Sequence, residues 1–300
     1  MSSLPPLVIT GANGFIGRHL LGRLAALGHR DVLALARDAN SLMTSPSWRP
    51  EWRALSCDLT RDVLPVGDIA RGAVVLHMAA ATGKMSPSAM RLTNVAGTQR
   101  VLQGARAARA GHLVFLSSIA AGFRDRRWYH YADSKQEAER LVAGGGMPYS
   151  VVRPTMVFGR GSAVGTALEG LATSGAPIML GNGRVRTQPV HVDDVVSLLL
   201  ALSQAEPAGG DTLELGGADR LTMRELIAAI RAARALPARR VISVPLGVVR
   251  TVLGIVEPIA RPLLPITAGQ LAAFVNDSIA AVSERVRALL PNPMGITAIL

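Results

Sequence analysis

The segment Leu7-Val8-Ile9-Thr10-Gly11-Ala12-Asn13-Gly14-Phe15-Ile16-Gly17-Arg18 restricts the possible folds of this chain more than any other. Four apolar or β-branched residues run straight into three glycines spaced three apart. Phe15, Ile16, Leu20, Leu21, Leu24 and Leu27 then recur at helical spacing. That pattern predicts a buried strand, a tight turn and a helix. Gly11 permits the turn, Gly14 admits a ligand close to the backbone, and Gly17 lets the helix pack onto the strand. The free N–H groups at the helix start then face an anion, typically a dinucleotide pyrophosphate. Asn13, Phe15 and Ile16 fill the same cradle.

The rest of the chain repeats the strand-and-helix theme. Segments 31–36, 53–57, 73–80, 112–118 and 149–153 read as strands, several of them continuously apolar, as buried parallel strands are. Helical stretches alternate with them, notably 94–109 and 131–143. The expected fold class is α/β: a doubly wound parallel sheet of the Rossmann kind with a smaller, mostly helical C-terminal substrate lobe. The dinucleotide-binding domain is expected over 1–160, with 187–203 returning to it. The lobe takes 161–186 and 204–300. Gly181-Asn182-Gly183 reads as a turn between two short strands, and an Asp of His191-Val192-Asp193-Asp194 as the cap of the next helix. Those acids read as structural. Arg184 and Arg186 face either an anionic substrate or solvent.

The strand ends carry the candidate cofactor contacts. Arg37 closes the second strand, where an adenosine ribose is read. An arginine there favours a 2′-phosphate, because its planar fork pairs with phosphate and its face stacks on adenine. Arg18 supplies a second charge to the same group. The expected cofactor is therefore NADP(H) in preference to NAD(H). Asp58, followed by Leu59, either accepts a hydrogen bond from the adenine amino group or caps the next turn. Ala79 and Ala80 end the fourth strand and are small enough for a ligand to approach. His77, within that strand, reads as a hydrogen-bonded core residue.

Tyr131 and Lys135 stand at i and i+4, one turn apart on one helix face. With three tyrosines and two lysines in 300 residues, chance seldom produces that pairing. A phenol with a pKa of about 10 is a poor acid–base near neutrality. A neighbouring ammonium, with the charge of an oxidised nicotinamide, favours the phenolate and is expected to pull that pKa down. A serine hydroxyl opposite would anchor the substrate oxygen. Ser118 takes that role here, with Ser117 as the alternative.

Taken together, Thr10–Gly17, Asp58-Leu59, His77–Ala80, Asn94–Thr98, Ser117-Ser118 and Tyr131-x-x-x-Lys135 resemble the short-chain dehydrogenase/reductase superfamily. The glycine spacing is that of its extended and atypical branches, which hold NAD-dependent epimerases, dehydratases and ketoreductases. Arg153–Gly159, Gln188–Val195 and Leu213–Leu226 continue the likeness. They are similar to bacterial relatives of the nucleotide-binding accessory subunit of respiratory complex I. The resemblance implies Tyr131 as acid–base, Lys135 as its electrostatic partner and as a cofactor contact, Ser118 as the substrate anchor and Asn94 as support for a proton relay. It also implies Pro154 as a residue beside the cofactor.

Charge and composition exclude several classes. The net charge is +11, almost wholly from scattered arginines, with 4% aromatic residues. No basic block interleaved with aromatics is present, so nucleic acid is not an expected partner. A single cysteine, Cys57, excludes an internal disulfide and a multi-Cys metal site. No metal is expected. The N-terminus enters a strand by Leu7, leaving no signal peptide, and the apolar stretch 241–275 is too broken for a transmembrane helix. A cytoplasmic enzyme is expected, acting on a small-molecule substrate that is apolar or anionic. Peripheral membrane or complex association is expected through 241–275. The leading function is hydride transfer between nicotinamide and a carbonyl or secondary alcohol. A sugar-nucleotide epimerase or dehydratase, and a nucleotide-binding scaffold or redox-sensing subunit, stand as alternatives.

Overall fold

A computed structural model describes the chain except residues 1–3, 84, 176–177, 238, 240–241 and 261–266; of residues 178 and 257–260 only the backbone is described. The apolar stretch 241–275 therefore lies partly outside the described residues.

Seven parallel strands form the central sheet. They are β1 (Leu7–Thr10), β2 (Val32–Ala36), β3 (Arg53–Ser56), β4 (Val74–His77), β5 (His112–Leu116), β6 (Tyr149–Pro154) and β7 (Asp211–Leu215), in the order β7-β6-β5-β4-β1-β2-β3. Every residue of β1, β2, β4 and β5 is buried, which explains their continuous apolar sequence. The chain reverses direction across the sheet between β1 and β4. In open α/β sheets, ligands bind outside the carboxyl ends of the strands at that point.

Helix α1 (Phe15–Ala26) packs over one face with Leu20, Leu21 and Leu24 fully buried. A Cβ at Gly17 would stand 2.4 Å from the Gly11 carbonyl oxygen and 2.6 Å from that of Ala12. Both are backbone atoms that cannot turn aside. Gly17→Ala is therefore expected to cost about 1–3 kcal/mol, read as a lower urea midpoint. On the other face, α2 (Pro87–Arg91) passes through a π-helical turn (Leu92–Ala96) into α3 (Gly97–Ala107). Helix α4 (His130–Ala143) packs against α3 and the π-helical turn.

The second half differs from the sequence expectation in two places, the outer strand of the sheet and the cap of the helix that begins at Val192. Residues 211–215, assigned to the lobe, form the outer strand of the main sheet beside β6. Gly181–Gly183 turns between two short strands, as expected, and each of them pairs with a different partner. Ile178–Leu180 pairs in parallel with Ile242–Val244, and Arg186–Thr187 pairs with Leu221–Thr222. Helix α5 (Val192–Gln204) is capped by His191, whose ring accepts from the Asp193 N–H at 3.2 Å. Asp193 and Asp194 lie in its first turn, and Asp194 accepts from the Met294 N–H instead. A second small core gathers Phe158, Leu168, Met179, Met223, Leu226 and Ile227 in the lobe.

Candidate active site

The glycine turn lies against the end of β4. Gly11 has φ +72°, and a Cβ there would meet the Ala79 nitrogen at 2.6 Å. The Thr10 hydroxyl accepts the Ala79 N–H at 3.3 Å, holding the two strand ends together. Gly14 caps α1 without offering a side chain to its first N–H groups. Those donors meet no capping side chain, so the cradle fits an anionic dinucleotide phosphate. Asn13 donates to the Ser41 hydroxyl, and Ser41 donates to the Asp38 carbonyl at 2.7 Å. The turn is thus tied to the loop that follows Arg37. Phe15 and Ile16 are half-buried at the start of α1. Phe15 packs edge-on against His19, whose Nε2 lies 2.9 Å from the Arg160 carbonyl oxygen, in the loop that follows Pro154 and β6.

Arg18 and Arg37 are exposed. Among the described residues, no hydrogen bond or ion pair engages either guanidinium. Asp58 folds onto its own turn: one carboxylate oxygen accepts the Thr60 N–H at 3.0 Å and the Thr60 hydroxyl at 2.8 Å. These bonds hold its pKa below the usual carboxylate value, with small additional help from Arg61 and Arg37. Leu59 is buried, and its carbonyl accepts from Arg100 at 2.9 Å. Ala79 is half-buried and Ala80 exposed at the crevice edge. Pro154 is buried where β6 ends.

At the end of β5 the two serines diverge. Ser117 is buried and donates to Glu139 at 2.5 Å. Glu139 in turn receives two bonds from Arg153, at 2.9 and 2.6 Å, and Arg153 reaches Glu214 at 3.6 Å. Ser118 instead caps a short 3-10 turn (Ile119–Gly122) and faces the Tyr131 phenol, whose pKa it lowers. The structure therefore separates a structural serine from one that faces the phenol.

Tyr131 and Lys135 rise from α4 beside this strand end. Burial pushes the Tyr131 phenol up to about 12, partly opposed by Ser118. Burial also pulls the Lys135 ammonium down to about 7, against the attraction of Glu139. Within the protein itself desolvation dominates both groups. Lys135 is 1% exposed, donates to the Leu116 carbonyl at 2.6 Å and sits 4.1 Å above the Phe115 ring. Among the described residues it has no ion pair of its own, because Glu139 is spent on Arg153.

Asn94 lies in the π-helical turn, fully buried. It accepts the Ala81 N–H at 2.7 Å and donates to the Ala81 carbonyl and the Ser134 hydroxyl at 3.0 and 2.9 Å. Ser134 donates to the Tyr131 carbonyl at 2.8 Å. The Asn94 side chain is occupied in tying Ala81 to the helix that carries Tyr131 and Lys135. Beneath it, Thr98 donates to the Asn94 carbonyl at 2.6 Å, so it accepts from His77 Nε2 at 2.9 Å, and His77 Nδ1 accepts from Thr10 at 2.7 Å. His77 is neutral: burial, with Lys135 adding to it, pulls its pKa down to about 3. It is a core residue, as its sequence context indicated. The Glu139–Arg153 pair escaped the sequence reading, although Glu139 follows Lys135 by four residues on the same helix face.

Residues 7–216 match the NAD dependent epimerase/dehydratase family. The chain belongs to that family. Among curated members and relatives, it is 29% identical to the ceramide reductase of Caulobacter vibrioides over 208 residues, covering 68% of this chain and 62% of that protein, less than two thirds of its length. It is 28% identical to 4-hydroxy-2-methyl-3-oxo-4-farnesyl-3,4-dihydroquinoline-1-oxide ketoreductase of Stigmatella aurantiaca over 279 residues, covering 86% and 81% of the two chains. The family fold is shared with the dTDP-glucose 4,6-dehydratase DesIV of Streptomyces venezuelae, solved with NAD bound, at a TM-score of 0.72 and 20% identity over 97% and 93% of the chains. Among the described residues of this family member, no group of three or more metal-ligating side chains comes together.

Proposed function

We propose that the chain is an NADP(H)-preferring reductase of an apolar carbonyl compound. The observation that carries this reading is the contact between Ser118 and a Tyr131 phenol that burial keeps protonated, beside a buried lysine at the dinucleotide crevice. A protonated phenol is a proton donor, which is what a carbonyl oxygen needs on reduction. When bound, the reduced cofactor supplies hydride to the carbonyl carbon. Ser118 donates a hydrogen bond to the carbonyl oxygen and fixes its position. Tyr131 releases its phenolic proton to that oxygen, and the nearby Lys135 ammonium stabilises the phenolate left behind. Lys135 and the glycine turn would hold the cofactor, with Asp58 and Leu59 beside its adenine and Pro154, Ala79 and Ala80 lining the crevice.

The lobe also carries an apolar groove whose lining does not include Ser118, Tyr131 or Lys135. This open groove of about 530 Å³ is lined by Val185, Pro245, Leu246, Phe274 and Val275, with Asn182 and Ser243 as polar members. Phe274 belongs to the 3-10 turn (Gly269–Phe274) whose Ala272 packs in the cluster with Tyr129 and Ala132. Two relatives bear names with long apolar groups, a ceramide and a farnesylated quinoline. Arg186 is less suited to an anionic substrate than the sequence indicated, since its Nε and one terminal nitrogen donate to Asp277, at 2.8 and 2.6 Å.

The preference for a 2′-phosphate rests on the unengaged guanidiniums of Arg18 and Arg37. Fluorescence titration with NADPH and NADH tests it. Arg37→Asp is expected to lower NADPH affinity by about 10-fold or more, equivalent to about 1.4 kcal/mol, and to leave NADH affinity nearly unchanged. An unchanged affinity ratio removes Arg37 from cofactor discrimination, and binding of neither nucleotide overturns the proposed function.

A further inference from the structure

We infer that Glu139, held by Ser117 and Arg153, is a positioning residue that keeps the Lys135 side chain charged and fixed at the end of β5. The inference rests on the proposed function for what the ammonium does, and on geometry for what holds it. Lys135 and Glu139 stand at i and i+4 on α4, one turn apart on one face. They reach successive residues of one strand end. Lys135 donates to the Leu116 carbonyl at 2.6 Å, and Glu139 accepts from the Ser117 hydroxyl. The next residue, Ser118, faces the Tyr131 phenol. Residues 116, 117 and 118 thus each engage one α4 side chain, which fixes the helix in register on the strand.

The charges around this clamp are balanced. Arg153 of β6 donates to both Glu139 oxygens at 2.9 and 2.6 Å and lies 3.6 Å from Glu214 of β7. Two cations and two anions sum to zero only while Lys135 is protonated. Lys135 is 1% exposed and Glu139 7%, so solvent screens their attraction weakly. Burial favours the neutral amine, and Glu139 opposes it through space. The remaining surroundings add no charge near neutrality. His77 of β4 is neutral, and Tyr131 is protonated. The π-helical and 3-10 turns that pack on α4 contain no charged residue. Arg91 of α2 is paired with Glu137, and Arg126 with Asp133. On α3, Arg100 donates to the Leu59 carbonyl and Arg106 lies over Gly146.

The chain has two lysines, Lys84 and Lys135. Full-length protein isotope-labelled at lysine Cε therefore gives two NMR signals, and Lys135→Met identifies which is Lys135. That signal is followed against pH with neither cofactor nor substrate added. Glu139→Gln keeps an acceptor oxygen for Ser117 and removes the charge; the titration midpoint is expected to fall by about one pH unit. Arg153→Met leaves Glu139 to the ammonium alone, and the midpoint is expected to rise by about as much. Ser117→Ala removes a bond to Glu139 but no charge, and should leave the midpoint nearly in place. The alkaline limb of NADPH oxidation is expected to move in the same directions. An unmoved midpoint in Glu139→Gln, movement of both charge variants in one direction, or an equal movement in Ser117→Ala overturns the inference. If Glu139→Gln does not fold, Arg153→Met decides alone: a rise supports the inference and any other result overturns it. A failed cofactor titration overturns the proposed function and leaves the lysine midpoint where it is, so the two readings fail separately.

Discussion

Tyr131→Phe is expected to reduce turnover about 10²–10⁴-fold while leaving NADPH affinity within about twofold. The substitution removes the only atom that can release a proton at this position and keeps the ring that packs 5.9 Å from Tyr129. The fold should be unaffected, so the loss appears in kcat. Steady-state oxidation of NADPH with an apolar ketone checks it, alongside a binding titration. Full turnover by the variant would place the proton donor elsewhere. In the parent, the phenol stays protonated to about 12 before cofactor binds. The alkaline limb of the reductive pH profile should therefore follow Lys135, whose charge is lost near 7, and not the tyrosine.

Lys135→Met should lower turnover by about 10²–10³-fold and at the same time flatten the pH dependence of stability. The sign follows from the burial of the ammonium. Its pKa falls from the ordinary 10.5 to about 7 on folding. Between those values the unfolded chain binds more protons than the folded one. The unfolding free energy of the parent should thus rise with pH across about 7 to 10.5, by up to about 1.4 kcal/mol per unit. Below 7 the cost of the buried charge is fully present; above 10.5 it is gone. The Tyr131 contribution begins only above 10, with the opposite sign, because its pKa is raised on folding. Urea unfolding at pH 7.5, 8.5 and 9.5 separates the two. A slope that survives in Lys135→Met would show that another group titrates. The proposed role of Lys135 opposes stability, since among the described residues the ammonium is held without an ion pair in a site where methionine would be welcome.

The strands of the sheet were legible because their burial leaves unbroken apolar runs, and the glycine turn because its backbone geometry tolerates no substitute. Strand β7 was missed for the converse reason. Asp-Thr-Leu-Glu-Leu is half polar, as suits an outer strand, and Glu214 finds its partner in Arg153 only in three dimensions. The cap of α5 was misplaced because an aspartate outranks histidine in local preference, whereas Asp194 is drawn to a backbone N–H a hundred residues away. Tyr131 and Lys135 could be paired from spacing alone. Their pKa values could not, since spacing reports proximity and says nothing of burial. Ser117 and Ser118 could not be told apart either, as neighbours on a strand point to opposite faces and only the packed sheet shows which face holds Glu139.

The π-helical turn at Leu92–Ala96 has a mechanical meaning. Widening the helix by one residue presents the Asn94 amide to Ala81, past the end of β4, and to Ser134, within α4. The crevice rim and the helix bearing Tyr131 are thereby joined through one buried amide. On the proposed function, a dinucleotide seated against that rim and the phenol of Tyr131 would thus be linked through the Asn94 amide and Ser134.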